Sequence, residues 1–213
     1  MSTLLQTNSE SKFKSRIARH PERRSDEQAL AILAQGLLAH VGFVDEGLPY
    51  VIPMSYHFDP AEPEALYLHG SPHSRVLKLL AQGAPACVEV TLLEGLVYSR
   101  AAMFHSMNYR SVLAFGHGEE VTDAEIKQKM FNAMIARYFE GRTPGQDYQE
   151  APDKHLEQTL VVKLKIESIS AKQREGGPNG PEDRKADAAG TAGVAPVPEG
   201  CPFHAAKEKK ADV

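Results

Sequence analysis

Short runs in which apolar and polar residues alternate fill most of the chain, and they predict strands joined by tight turns. His40–Val44 is one such run, and Asp45-Glu46-Gly47 after it is a turn with glycine where a positive φ is needed. Leu48–Tyr56 returns as a strand, with Pro53 marking a bulge or a sheet edge. Leu66–His69, Ala84–Leu93, Leu96–Phe104, Asn108–Gly118 and Leu160–Ile166 read as further strands, the second and third of these joined at Glu94-Gly95. Helical spacing occurs in three places. Ser25-Asp26-Glu27-Gln28 is a capping box ahead of Leu30, Ile32, Leu33, Leu37 and Leu38. Ser71-Pro72 opens a helix with Val76, Leu77, Leu79 and Leu80 as its apolar face and Gly83 as its stop. Thr122-Asp123-Ala124-Glu125 opens a third, whose Ile126, Met130, Met134 and Tyr138 read as core packing. Most connections are turns rather than crossover helices, so an antiparallel β-barrel with peripheral helices is expected.

The ends differ from this pattern. Residues 1–24 are polar and basic with no apolar period, and read as an arm. The folded domain is expected over 25–172. From 173 to 213 Gly, Pro, Ala and charge dominate, which predicts a flexible tail.

Composition narrows the function classes. Lys+Arg 24 against Asp+Glu 28 gives a net charge of −4, which favours neither nucleic acid nor an anionic membrane as partner. No run of about 18 apolar residues is present, so no membrane-spanning helix is expected, and no secretory h-region is visible. Two cysteines, Cys87 and Cys201, are too few for a disulfide framework or a structural zinc site, and a cytoplasmic protein is expected. The nine histidines show no metal-ligand spacing, so no metal site is assigned.

The candidate chemistry centres on one stretch. Ser71, Ser74, Arg75 and Lys78 bring hydroxyls, a guanidinium and an ammonium to the start of a helix, an arrangement suited to a phosphate monoester. An ordinary capped helix with solvated cations has the same spacing. His69 ends the preceding strand and either reaches what sits on that phosphate or bonds a carbonyl. Ser106–Val112 is dense in polar groups and forms either a structural network or a ligand rim. Cys201 and His204 are potential haem ligands in the tail. A nucleophile elbow, a P-loop, a dinucleotide glycine fingerprint and H-E-x-x-H are all missing.

Taken in order, His40-Val41-Gly42-Phe43, Pro49–Met54, Leu66–Lys78, Ser106–Val112 with Phe115-Gly116, and Ile166–Lys172 resemble the pyridoxamine 5′-phosphate oxidase-like FMN-binding split barrels, and within them the nitroimidazole-resistance reductase branch. The resemblance implies a six-stranded antiparallel split barrel that forms a homodimer with flavin sites between subunits. It implies that Val51, Ile52, Pro53 and Met54 lie along the isoalloxazine, that His69 and Gly70 stand beside it, and that Ser71, Ser74, Arg75 and Lys78 hold the phosphate. Tyr109, Arg110 and Ser111 would approach the flavin from a neighbouring strand or subunit. His69 is the implied catalytic residue. In the oxidases a lysine directly follows the arginine; here Val76 stands there and Lys78 is the nearest substitute. The oxidases' C-terminal substrate motif has no match at Lys172–Pro178, which argues against vitamin B6 oxidation. The implied activity is an FMN-dependent reductase passing electrons from NAD(P)H to a small nitroaromatic- or quinone-like acceptor. The alternative is a non-catalytic flavin or haem binding, storage or sensor protein.

Overall fold

The computed structural model describes residues 20–197. They form two compact units: one holds the described residues through Thr91 together with Ser111–Lys172, the other Leu92–Arg110 and the chain from Gln173. The strands are β1 (Ala39–Asp45), β2 (Leu48–Met54), β3 (Tyr56–His57), β4 (Ala65–Gly70), β5 (Pro85–Tyr98), β6 (Ser106–Val121), β7 (Leu160–Arg174) and β8 (Gly193–Ala195). The helices are α1 (Ala29–Gln35), α2 (Arg75–Ala81), α3 (Ala124–Tyr138) and α4 (Asp153–Glu157). The strand order is β2-β1-β5-β6-β7-β4-β3, with β8 on β5. This is the mainly β, antiparallel split barrel with few helices that the sequence implies, built from eight strands rather than six.

One difference has a clear physical cause. Glu94-Gly95 is no turn: β5 runs through it, and a Cβ on Gly95 would stand 3.0 Å from Val194 of β8. The glycine is there for close strand approach, not for positive φ. Residues 173–197, within the stretch expected to form the tail, carry polar anchors of their own. Asp183 accepts hydrogen bonds from Ser99 Oγ at 2.9 Å and from the Arg100 and Gly180 amides at 2.8 and 2.6 Å. Polar bonds rather than apolar burial hold this segment, so composition alone does not reveal it.

The core of the first unit lies between α1, α2 and the sheet. Ile32, Leu33, Val41, Phe43, Leu66, Leu68, Val76, Leu77, Leu80, Val88, Val90, Val162 and Leu164 are buried there. Gly118 lets α2 sit close, since a Cβ would stand 2.5 Å from the Leu80 carbonyl oxygen. Helix α1 stops at Gln35, leaving Leu37 and Leu38 exposed instead of on its apolar face. Its carbonyls are satisfied from far along the chain: Tyr56 Oη donates to Leu33 O at 2.6 Å, and Arg137 donates to Leu33 O at 2.9 Å and Ala34 O at 3.2 Å. Burial pushes the Tyr56 phenol up to about 12, so it stays a donor at any ordinary pH.

Helix α3 starts one residue later than its capping box suggests, with the Asp123 carboxylate accepting from the Ile126 amide at 3.0 Å. Met130 is buried and Met134 packs beside it, as the stripe predicts, whereas Ile126 is exposed. Lys127 on the same helix is buried; its ammonium donates to the carbonyls of Leu156 and Thr159 at 3.0 and 2.9 Å.

Candidate functional site

The β1–β2 hairpin turns on Glu46 and Gly47, both with positive φ, at 49° and 78°. Asp45 pairs with Leu48, Phe43 with Tyr50, Val41 with Ile52 and His40 with Pro53. A two-residue hairpin makes its closing pair hydrogen-bonded, and alternate pairs after it. Val51 and the two prolines at 49 and 53 therefore fall at positions whose backbone points away from β1. Prolines carry no N–H, and this is the parity a sheet edge tolerates. Strand β2 is a sheet edge in the strand order, so the Val51 amide and neighbouring carbonyls face outward there.

Strand β4 carries His69 and Gly70, paired with Val161 and Leu160. Gly70 lies against Leu77 of α2, which a Cβ would approach to 3.1 Å. The His69 ring meets Phe131 of α3 edge-on at 5.0 Å between centroids. Its Nδ1 is buried with no hydrogen-bond partner, and burial lowers the imidazole pKa below its usual value. A bond from His69 to a backbone carbonyl is thus absent at Nδ1.

The start of α2 differs from expectation. Ser71 caps a turn, its Oγ accepting from the His73 amide at 3.1 Å, and the helix proper begins at Arg75 with Ser74 as N-cap. Pro72 sits in the turn before it. Arg75 does not stand alone in solvent. Its guanidinium lies 3.3 Å from the Asp45 carboxylate, 4.0 Å above the Tyr50 ring and 6.0 Å from that of Phe43. Hairpin and helix are thereby joined, which brings the Val51–Met54 stretch and the Ser71–Lys78 stretch to one place. Sequence reasoning missed Asp45, Phe43 and Tyr50. The only available signal was an acidic residue at the hairpin turn, a feature common to many hairpins.

Residues 106–112 have found protein partners. Arg110 Nε donates to Glu94 Oε1 at 2.6 Å, Asn108 is buried against the Arg174 guanidinium, and Ser111 Oγ donates to Lys172 O at 3.4 Å. Tyr109 and Arg110 belong to the second unit and Ser111 to the first. A second buried imidazole, His57, lies 6.2 Å from the Tyr67 ring with its Nδ1 unpartnered. Tyr67 donates to Glu62 at 2.7 Å, and Lys163 pairs with the same carboxylate at 2.5 Å. Among the described residues no three His, Cys, Asp or Glu side chains group as metal ligands. Cys201 and His204 lie outside the described residues.

These donors suit a nucleotide-like cofactor. A guanidinium with one open N–H edge meets the open strand edge at the hairpin, and two serines and Lys78 lie in the adjoining turn and helix, whereas the His69 ring is turned to Phe131 of α3. Such a set offers N–H and O–H donors to an anion and backbone groups to the edge of a planar ring.

The structure of a FAD and haem binding protein from Mycobacterium smegmatis is 32% identical, covers 84% of this chain and 89% of its own, and superposes with a TM-score of 0.72. The flavocytochrome Anf3 from Azotobacter vinelandii is 30% identical, with 87% of each chain covered and a TM-score of 0.73. A Bacteroides thetaiotaomicron protein linked to 5-nitroimidazole antibiotic resistance shares the fold at 24% identity and a TM-score of 0.58, over 70% of this chain and 84% of its own. No curated protein matches. The family model described as pyridoxamine 5′-phosphate oxidase matches residues 25–173, and the chain therefore belongs to the pyridoxamine 5′-phosphate oxidase family.

Proposed function

We propose that this protein binds a flavin nucleotide and works as an oxidoreductase, taking electrons from NAD(P)H and passing them to a small nitroaromatic- or quinone-like acceptor. The observation that carries this reading is Arg75, held by the hairpin beside the open edge of β2. Ser71, Ser74, Arg75 and Lys78 would hold the flavin phosphate. The backbone of Val51, Ile52, Pro53 and Met54 would meet the ring, Val51 N–H being the outward donor between two prolines. Gly70 leaves room beside the ring, and Tyr109, Arg110 and Ser111 of a second copy would approach it. The flavin supplies the redox chemistry; the chain supplies position, charge and exclusion of water. His69 is the proposed catalytic residue. Its buried position keeps the imidazole neutral, and its ring is fixed against Phe131, so it can present or accept a proton without competing for the flavin's charge.

Two features support a homodimer in the cytoplasm. Val44 and Val51 are 61 and 66% exposed on one face of the hairpin, an apolar surface that a second copy would cover. No described helix is long and apolar enough to cross a membrane, and cysteine is scarce.

The test is direct. Purified protein mixed with FMN or FAD is expected to show two broad visible flavin bands and to bleach anaerobically with NADH or NADPH. Loss of acceptor turnover in His69→Ala, with flavin retained, would place His69 in the chemistry. A protein that takes up neither flavin refutes the proposal.

A second reading has its own support: two relatives at 30% identity or above are described as haem-containing flavoproteins. Under it the chain also holds haem, as a carrier or sensor, with Cys201 or His204 as potential ligands. An intense Soret band on haem addition, lost in a Cys201→Ala/His204→Ala double variant, would favour it.

A further inference from the structure

We propose that Asp45 sets the charge of the Arg75 site, so that the site takes a singly charged phosphodiester in preference to a doubly charged phosphate monoester. This rests on the flavin reading above and adds a specificity residue to it.

The guanidinium of Arg75 is already engaged on two sides. Tyr50 supports its face at 4.0 Å, and the Asp45 carboxylate takes one edge at 3.3 Å. Only the remaining N–H edge is left for a ligand. An anion on that edge lies within about two hydrogen-bond lengths of the Asp45 carboxylate, a range at which like charges repel even in a partly solvated site. Asp45 is held there by the hairpin itself: it closes the turn opposite Leu48, and Glu46 and Gly47 leave it little freedom. The closing pair fixes the backbone of Asp45, and the ion pair with Arg75 holds its carboxylate at the site.

The charges near the site then decide what fits. Arg75 and Lys78, three residues apart on one helix face, supply two positive charges. Asp45 cancels one. Val76 occupies the position after Arg75 with a buried isopropyl group, so no further cation comes from the helix. Glu46, next in the turn, adds another carboxylate to the hairpin. Neutral imidazoles at His69 and His57 contribute no charge above their lowered pKa values. A net of about one positive charge matches one phosphodiester oxygen. A monoester above its second pKa of about 6 carries an extra negative charge that finds no partner. Tyr50 and Phe43 flank the guanidinium with aromatic faces, which hold it in place and donate nothing to an anion.

Riboflavin 4′,5′-cyclic phosphate carries the flavin ring on a singly charged phosphodiester and FMN carries it on a monoester, so the pair reads the preference, with riboflavin as a phosphate-free control. Dissociation constants are measured by flavin fluorescence quenching for the wild-type chain and Asp45→Asn. The substitution should tighten FMN about tenfold and the cyclic phosphate about threefold, because FMN brings about twice the charge against Asp45. The ratio is the readout, because any loosening of Arg75 affects both flavins alike. An unchanged ratio, with both still binding better than riboflavin, overturns the proposal while leaving the flavin reading intact. Failure of these three and of FAD to bind the wild-type chain sinks both. Should Asp45→Asn not fold, the wild-type chain decides through pH. From pH 5 to 7.5 its affinity for FMN should fall about threefold relative to the cyclic phosphate, as FMN gains its second charge. An unchanged or rising relative affinity over that range would reject the role of Asp45.

Discussion

Arg137 donates a 2.7 Å hydrogen bond to the carbonyl of Tyr56 and lies 4.5 Å over the same residue's ring. The same guanidinium serves Leu33 and Ala34 at the end of α1 and the Gly36 carbonyl, so one side chain of α3 closes another helix. Arg137→Ala leaves Leu33 O and Gly36 O to the Tyr56 hydroxyl and Tyr56 O to the Tyr138 hydroxyl, while Ala34 O loses its side-chain donor. A loss of about 3 kcal/mol is expected, read as a lowered urea midpoint with an unchanged slope. A loss under about 1 kcal/mol would show that water replaces the guanidinium.

Arg75→Ala should weaken binding of FMN and FAD by about 1.5 kcal/mol, close to tenfold, and leave riboflavin binding as it was. The value lies at the low end for a charge-assisted bond because Arg75 is half exposed and already shared with Asp45. Fluorescence quenching titrations measure it. Equal losses for all three flavins would mean that the residue acts on the ring or on the hairpin, not on phosphate.

Gly116 faces β7 so closely that a Cβ would stand 1.7 Å from the Lys165 carbonyl oxygen. Backbone cannot yield as a flexible side chain can. Gly116→Ala is therefore expected to cost more than about 3 kcal/mol or to abolish soluble expression, and thermal unfolding beside the wild type will show which. A variant melting within a few degrees of the parent would mean that β6 and β7 can separate locally.

His57 and His69 both have pKa values lowered by burial, and Arg137 pushes that of His57 further down. The unfolded chain then binds protons more readily than the folded one below the usual histidine value of 6.5. Stability from these groups is complete above that pH, falls as the pH drops through it, and levels off below the folded pKa values. Melting temperature should decline between pH 7 and 5, and His57→Gln should flatten part of the decline. A melting temperature constant over that range would refute neutral burial.

Asp183 gathers Ser99, Arg100 and Gly180, and few apolar contacts reinforce it. Asp183→Ala should free residues 176–195 for limited proteolysis while the barrel stays resistant. Mass spectrometry of the fragments reads the cut sites. Cleavage no faster than in the wild type would assign the anchoring to β8 instead.

Much of this architecture is legible without coordinates because it is local. Alternation marks β1, β2 and β4, the glycine of the 45–47 turn sits at positive φ, and Met130 lies in the core as its spacing requires. Gly95 shows where such reading stops. A glycine after Glu94 looks like a turn, yet the chain runs straight on because β8, a hundred residues later, needs the space. Helix α2 begins at Arg75 rather than after Ser71, because the serine side chain caps a turn of its own.

The succession of strands and turns along the chain, the antiparallel barrel class and the cationic stretch at 71–78 were determined by the sequence alone, since each depends on periodicity, turn residues or neighbours a few positions apart. Tertiary structure decided the rest: that Asp45 and Tyr50 share Arg75, that Arg137 closes α1, and that His57 and His69 are buried without a partner at Nδ1. These relationships join residues tens of positions apart. Their energies depend on burial and on angles within a few ångströms, quantities that exist only once the chain has closed on itself.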